Sequence, residues 1–145
     1  MRLRSEAFGE GEAIPSVHSC DGEDRSPPLA WEDAPEGTAV FALIVDDPDA
    51  RGFVHWVLVD IPGSEPGVAE GEGDSVGVPG RNDFGRIGWG GPCPPSGEHR
   101  YVFTLYALSA PLELTGTVDA ASVRGALGDR VLAKAQLTGV YRRGG

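Results

Sequence analysis

Four polar side chains in the sequence have the chemistry to form one binding site. They are Asp47, His55, His99 and Tyr101, and each lies within or at the end of an apolar segment. An unpaired buried polar group costs about 1–3 kcal/mol, so we expect the carboxylate and the two imidazoles to satisfy one another. A carboxylate beside an imidazole fixes the tautomer of the ring and favours its charged form. Together with the phenol, these groups can donate hydrogen bonds to a small anion.

Two other uses of the same residues stay open. An Asp–His pair is also the general base of many hydrolases, but no Ser, Cys or Thr stands in a recognisable nucleophile motif. Two histidines and a carboxylate can bind iron or zinc, although the sequence has no HxD or HxxxH pairing. We therefore predict a binding protein without catalytic residues, metal or cofactor. A hydrolase, or a metal site on Asp47, His55 and His99, is the alternative.

The segment before His99 predicts a rigid loop. It reads GWGGPCPPSGEH, and Pro92, Pro94 and Pro95 fix the backbone dihedral φ and remove three N–H donors. The glycines ahead of them allow close approach of the backbone. Such a loop can hold a concave surface, with His99 and Tyr101 as one wall.

Three apolar segments predict the strands that position these side chains. Residues 39–45, AVFALIV, end in an acidic turn and are typical of a strand buried on both faces. Residues 53–61 and 100–108 predict two further strands. Strand alternation then gives two sets of residues that share a face: Phe53, His55, Val57 and Val59 in the second strand, and His99, Tyr101, Phe103 and Leu105 in the third.

The other segments predict few helices. Residues 63–80 are acidic and rich in glycine, which favours a long surface loop. Asp119 is a good N-cap for a short helix over 119–127, and 129–137 predicts a second helix after Gly128. Residues 138–143 predict a last short strand. The predicted fold class is therefore mainly β.

Length and charge limit the class of protein. The chain has 145 residues, of which 40% are hydrophobic, and this suits one domain over residues 1–145. Its formal net charge is −10 and its basic residues form no stripe, which argues against a nucleic-acid partner. No segment approaches the roughly 18 apolar residues of a membrane-spanning helix, and the N-terminus lacks the apolar core of a secretory signal. These features predict a cytoplasmic protein without transmembrane insertion.

The two cysteines, Cys20 and Cys93, are far apart in the sequence. In a reducing cytoplasm both are expected to be thiols. Each lies in a turn-rich segment, so they can also meet in space, and a disulfide stays open as the alternative.

Three segments resemble the phosphatidylethanolamine-binding protein (PEBP) family. They are CDGEDRSPPLAW at 20–31, FALIVDDPDARGFVHWVLVDIP at 41–62 and NDFGRIGWGGPCPPSGEHRYVFTLYAL at 82–108. The elements DPDA, HW and GxGGPxPPxGxHRY occur in the order found in the family. The sequence is similar to the short bacterial and archaeal Raf kinase inhibitor-like branch.

The resemblance implies a PEBP-like fold of two antiparallel β-sheets, with a few short helices near the C-terminus and a pocket for an anion. The pocket residues that it implies are Asp47, Phe53, His55, Gly91, Pro95, His99 and Tyr101. The implied ligand is a small phosphorylated molecule or a phospholipid head group. A protein kinase or protease is the implied protein partner, and a homodimer stays open.

The sequence also departs from the family pattern at two positions. Arg51 stands where many members have proline, which adds a cation near the pocket mouth. Trp89 replaces a tyrosine, which removes one hydroxyl donor.

Overall fold

The computed structural model describes residues 1–143, so the last two residues of the predicted domain lie outside it. Within this range the strands are β1 Arg2–Arg4, β2 Leu29–Glu32, β3 Val40–Asp47, β4 Phe53–Pro62, β5 Gly67–Val68, β6 Val78–Pro79, β7 Glu98–Leu108 and β8 Val131–Arg142. The helices are α1 Gly73–Val76 and α2 Ala120–Leu127, and there are 3-10 turns at Ser16–His18, Pro48–Ala50 and Gly128–Arg130.

The strands form two antiparallel sheets, which confirms the predicted fold class. One sheet has three strands in the order β1-β2-β5, and the other has five in the order β6-β4-β3-β7-β8. The three-stranded sheet packs on one face of the larger sheet, since Leu3 and Trp31 share a core cluster with Phe103. Helix α2 packs on the opposite face, where Val123 joins a second cluster with Ile44.

The central strands β3 and β7 agree with their sequence patterns. In β3, Leu43 belongs to one core cluster and Ile44 to the other, as expected for a strand buried on both faces. In β7, Tyr101, Phe103 and Leu105 all belong to the cluster below the three-stranded sheet. Apolar side chains on both faces make these strands the centre of the fold.

In β4 the predicted alternation is wrong beyond His55. Val45 pairs with Trp56 and Asp46 pairs with Val54, which leaves His55 as the extra residue of a β-bulge. A bulge breaks the period of two, so the next residues change face. As a result Val57 belongs to the α2 side of the sheet, whereas the His55 ring contacts Tyr101 on the other side.

The tail contains one of the two predicted helices. Helix α2 begins at the N-cap Asp119, whose side chain and that of Ser122 form a reciprocal capping box. The second predicted helix, over 129–137, is wrong, because this segment is part of β8. Its apolar residues at 131, 133, 135 and 137 recur every second position, and β8 pairs with β7 along its whole length.

The N-terminal segment covers part of the outer edge of β8. Ala13 forms a parallel bridge with Val140, and Gly11 N–H donates to the carbonyl of Thr138 over 2.7 Å. The segment around Gly11 and Ala13 is therefore joined to β8 at one edge of the large sheet.

Residues 63–80 carry more structure than the predicted surface loop. They contain β5, α1 and β6, each only two to four residues long. Gly73 in α1 is buried directly against the indole of Trp56, so close that a Cβ atom would collide with the ring. The indole N–H of Trp56 donates to Asp74 over 2.7 Å. These contacts fix the segment on β4.

The two cysteines form a disulfide, so the expectation of free thiols is wrong. The Cα atoms of Cys20 and Cys93 are 5.5 Å apart. The backbone N–H of Cys20 also donates to the carbonyl of Pro92 over 3.1 Å. The sequence alone did not decide this pairing, because spacing does not show which distant turns meet.

No helix within residues 1–143 is both long enough and apolar enough to cross a membrane.

Candidate functional site

A cavity lies at the end of the large sheet where β3 ends and β4 and β7 begin. Antiparallel pairing sets Asp47, the last residue of β3, opposite Phe53, the first residue of β4. The cavity has a volume of about 200 Å³, below the roughly 300–1,000 Å³ of sites for drug-sized ligands. Its lining residues are Asp47, Ala50, Phe53, His55, Phe84, Cys93, Pro94, Pro95, His99 and Tyr101.

Asp47 and His99 form the most polar contact of the cavity. His99 Nδ1 lies 2.6 Å from Asp47 Oδ2, and Asp47 itself is 2% exposed. The other carboxylate oxygen accepts the N–H of Asp49 over 2.8 Å, as the N-cap of the 3-10 turn. A carboxylate accepts but does not donate, so Nδ1 of His99 carries the proton and its ring orientation is fixed.

His55 does not contact Asp47 through a hydrogen bond, although the sequence suggested one shared network. Its Nδ1–H donates to the carbonyl of Gly90 over 2.7 Å, and the residue is 4% exposed. Burial lowers the pKa of His55, and the nearby Asp47 and Asp24 carboxylates oppose that shift only in part. His55 is therefore a neutral imidazole at pH 7, with Nε2 as an acceptor.

Tyr101 supplies a phenol that stays protonated. The residue is 1% exposed, and its ring lies edge-on to the His55 ring with a centroid distance of 5.1 Å. Burial, with a contribution from the Asp47 charge, raises the pKa of Tyr101 above its usual value. The phenol is therefore a hydrogen-bond donor over the physiological pH range.

The apolar wall has two aromatic rings. Phe53 was predicted from the family resemblance, whereas Phe84 was missed. The two rings pack edge to face at 4.8 Å. The signal for Phe84 was present in NDFG, because Asn82 Oδ1 accepts the N–H of Phe84 and holds it at the mouth. Such a turn predicts the local backbone, but it does not show that the aromatic residue lies at the cavity unless the place of the turn in the fold is known.

The loop with three prolines forms the opposite wall. Pro95 lines the cavity as predicted, and Cys93, Pro94 and Ala50 are further lining residues that sequence reasoning missed. Gly91 is not a lining residue. Its N–H donates to Asp24 Oδ1 over 2.9 Å, so the predicted role of Gly91 as a backbone donor to the ligand is not supported.

Charged residues surround the mouth of the cavity. Arg100 donates to Asp49 through its backbone N–H and its guanidinium, and this holds the pKa of the Asp49 carboxyl down at about 2. Arg51 follows the lining residue Ala50 and adopts a left-handed backbone with φ of 59°. Trp89 does not line the cavity. Its ring packs on Trp56, and its indole N–H donates to the carbonyl of His18.

The family model for phosphatidylethanolamine-binding proteins matches residues 4–142. The chain belongs to this family. Two similar proteins are UPF0098 proteins. That of Aquifex aeolicus (strain VF5) is 46% identical, over 99% of this chain and 89% of its own length. That of Methanothermobacter thermautotrophicus (strain Delta H) is 44% identical, over 99% of this chain and 100% of its own length. The crystal structure of a PEBP homologue from Chlamydia trachomatis matches with a TM-score of 0.92 and 35% identity, over 98% of this chain and 97% of that one. Family membership and fold are thus in agreement.

Within residues 1–143, no three side chains of His, Cys, Asp or Glu come together in an arrangement that would hold a metal ion. In both histidines Nδ1 is bound to a protein acceptor, so a metal on Asp47, His55 and His99 would have to bind the imidazoles through Nε2.

Proposed function

We propose that the cavity of this PEBP-family member binds a small anion, with a phosphoryl group as the best match. The observation that carries the proposal is the contact of 2.6 Å between the buried Asp47 and the half-buried His99, in the same cavity as the Tyr101 phenol. A phosphoryl group has oxygens that accept from a phenol, and its P–OH form can also donate to a neutral imidazole. The cavity volume of about 200 Å³ favours a phosphoryl group with a small substituent.

The tautomers of the two histidines make binding depend on a proton. In both rings Nδ1 holds the proton, so the neutral rings present Nε2 as an acceptor. A fully deprotonated anion would face two lone pairs. Binding is favourable when the ligand brings a P–OH group that donates to one of these nitrogens. A phosphate monoester has its second pKa at about 6, so this form becomes more abundant as the pH falls.

We therefore expect phosphate and O-phosphorylethanolamine to bind more tightly as the pH falls from 8 to 6. Charged neighbours do not reverse this trend, because Asp47 is a partner of His99 and Asp49 is already paired with Arg100. Calorimetric titration at pH 6, 7 and 8, in two buffers with different ionisation enthalpies, measures both the affinity and the number of protons taken up. Equal or weaker binding at pH 6 would contradict the proposal.

Two tyrosines on β7 provide a matched pair of variants for this test. Tyr101→Phe removes the phenol from the cavity and should weaken phosphate binding about tenfold, which corresponds to one lost hydrogen bond to a charged group. Tyr106→Phe removes the same atom from the opposite face, where Tyr106 packs toward α2. Its phosphate affinity should equal that of the wild type.

The hydrolase alternative has no support from side-chain contacts. Cys93 is part of the disulfide, and Ser96 forms no hydrogen bond with a histidine within residues 1–143. An Asp–His pair without an adjacent nucleophile can orient a ligand but has no group to activate.

Regulation of a protein kinase or protease, a homodimer and a cytoplasmic location stay predictions from the sequence. The disulfide favours an oxidising compartment, which is the opposite of the predicted location. Thiol trapping in cell fractions would decide between them.

A further inference from the structure

The cavity wall at residues 93–97 has few ties to the rest of the protein. Upstream, the carbonyl of Pro92 accepts the N–H of Cys20. Downstream, Glu98 is the first residue that pairs with β8. Between them, residues 93–97 form no hydrogen bond and no ion pair with any other part of the chain from 1 to 143. Two of these residues, Pro94 and Pro95, have no N–H to offer.

Pro94 is buried, and apart from its packing the disulfide is the one bond within residues 1–143 that ties this wall to a distant part of the chain. Its other end lies next to a firmly held residue, because Ser19 is fully buried and its Oγ lies 2.8 Å from both the Ser16 carbonyl oxygen and the Tyr141 hydroxyl oxygen. Tyr141 in turn belongs to β8, opposite His99. The bond therefore connects a segment that forms no hydrogen bonds of its own to the large sheet.

Without that bond, the wall has a means to move. Gly97 adopts φ of 69°, a conformation that costs glycine little, and it precedes the start of β7. The prolines keep the segment stiff inside, so it would swing as a unit and take Pro94 and Pro95 away from His99. A ligand would then have to order the segment again when it binds, which reduces affinity.

We infer that the Cys20–Cys93 disulfide is a reducible brace that sets the affinity of the cavity for its anion. This inference rests on the proposed function. Cys20 is exposed and Cys93 is half-buried, so a reductant reaches the bond in the folded protein. One thiolate of a dithiol attacks a sulfur of the Cys20–Cys93 bond and forms a mixed disulfide with that cysteine. The second thiolate then attacks the dithiol's own sulfur in the mixed disulfide and releases the cysteine. The dithiol gives two electrons and two protons and becomes a disulfide, while Cys20 and Cys93 become thiols.

The test compares inorganic phosphate binding by the oxidised protein, the protein reduced with dithiothreitol, and Cys20→Ser. Cys20 does not line the cavity, so Cys20→Ser removes the brace and leaves every lining residue in place. We expect about tenfold weaker binding in both forms without the bond. Dithiothreitol should have no effect on the affinity of Cys20→Ser, which controls for the reagent. Equal affinity of oxidised and reduced protein would overturn the inference.

A second measurement does not depend on the ligand. Backbone ¹⁵N relaxation of Ser96 and Gly97 should report order parameters that fall on reduction, while those of Tyr101 and Phe103 in β7 stay unchanged. If the oxidised protein binds no phosphate, the proposed function fails, and the order parameters still decide the brace. Unchanged order parameters would overturn it.

Circular dichroism must show that the reduced protein keeps its fold. If Cys20→Ser does not fold, the double variant Cys20→Ala/Cys93→Ala takes its place. Global unfolding of the reduced protein and of both variants would also overturn the inference, because the bond would then hold the whole fold and not one wall.

Discussion

The two cavity histidines have different partners, and this gives them different chemistry. His99 donates to the Asp47 carboxylate, which fixes the tautomer of its ring. His55 donates to the neutral carbonyl of Gly90 and is buried, so its charged form is disfavoured. One imidazole is therefore bound to a charged acceptor and the other to a neutral one, and both leave Nε2 to accept a hydrogen bond from a ligand.

The lowered pKa of His55 predicts that acid destabilises the fold. In the unfolded chain a histidine has a pKa of about 6.5, so both states are neutral at pH 8. As the pH falls through 6.5, the unfolded state binds the proton before the folded state does, and the free energy of unfolding decreases. Urea titrations at pH 8, 6.5 and 5.5 should show a smaller decrease for His55→Gln than for the wild type. The same decrease in both proteins would contradict the assignment.

At the residue scale, six of the residues predicted from the sequence lie together in the cavity. Asp47, Phe53, His55, Pro95, His99 and Tyr101 all line the cavity. Gly91 does not, because its N–H is bound by Asp24 from a loop far away in the sequence. Phe84 and Cys93 were missed for the same reason, since their place at the cavity depends on contacts between distant loops.

At the scale of elements, local pattern and tertiary pairing disagree in two places. The extra residue of the β4 bulge is visible only once the register against β3 is known. The segment 129–137 has good helix formers such as Leu132, Ala133 and Lys134, yet it extends along β7. Helix propensity is worth only tenths of a kcal/mol per residue, so burial of one apolar face in the sheet outweighs it.

Two glycines in helices should respond to alanine in opposite ways. Gly73→Ala puts a methyl group into the Trp56 indole, so we expect a loss of about 1–3 kcal/mol from overpacking. Gly125 lies in α2 with open space around its Cα, so Gly125→Ala should gain about 0.5–1 kcal/mol. Urea denaturation measures both. A neutral Gly73→Ala would show that α1 does not pack on β4 as described.

At the scale of the whole molecule, the disulfide closes a long loop. Its cysteines are 73 residues apart in the sequence. Loop-closure entropy then predicts that reduction lowers the free energy of unfolding by about 4 kcal/mol. Thermal unfolding with and without dithiothreitol should show a Tm lower by roughly 10–15 °C in the reduced protein. A shift of only a few degrees would mean that the reduced unfolded chain is already compact.

The bridge between Ala13 and Val140 has a consequence for how the protein is made. β8 spans Val131–Arg142, so a ribosome synthesises it after strands β1 to β7. Until it emerges, β7 has one open edge and the segment around Ala13 has no strand to dock on. Tyr141, whose hydroxyl contacts that of Ser19, also belongs to β8. We therefore expect the nascent polypeptide to complete its five-stranded sheet only once β8 has emerged, in a late step that joins the segment around Ala13 to β8.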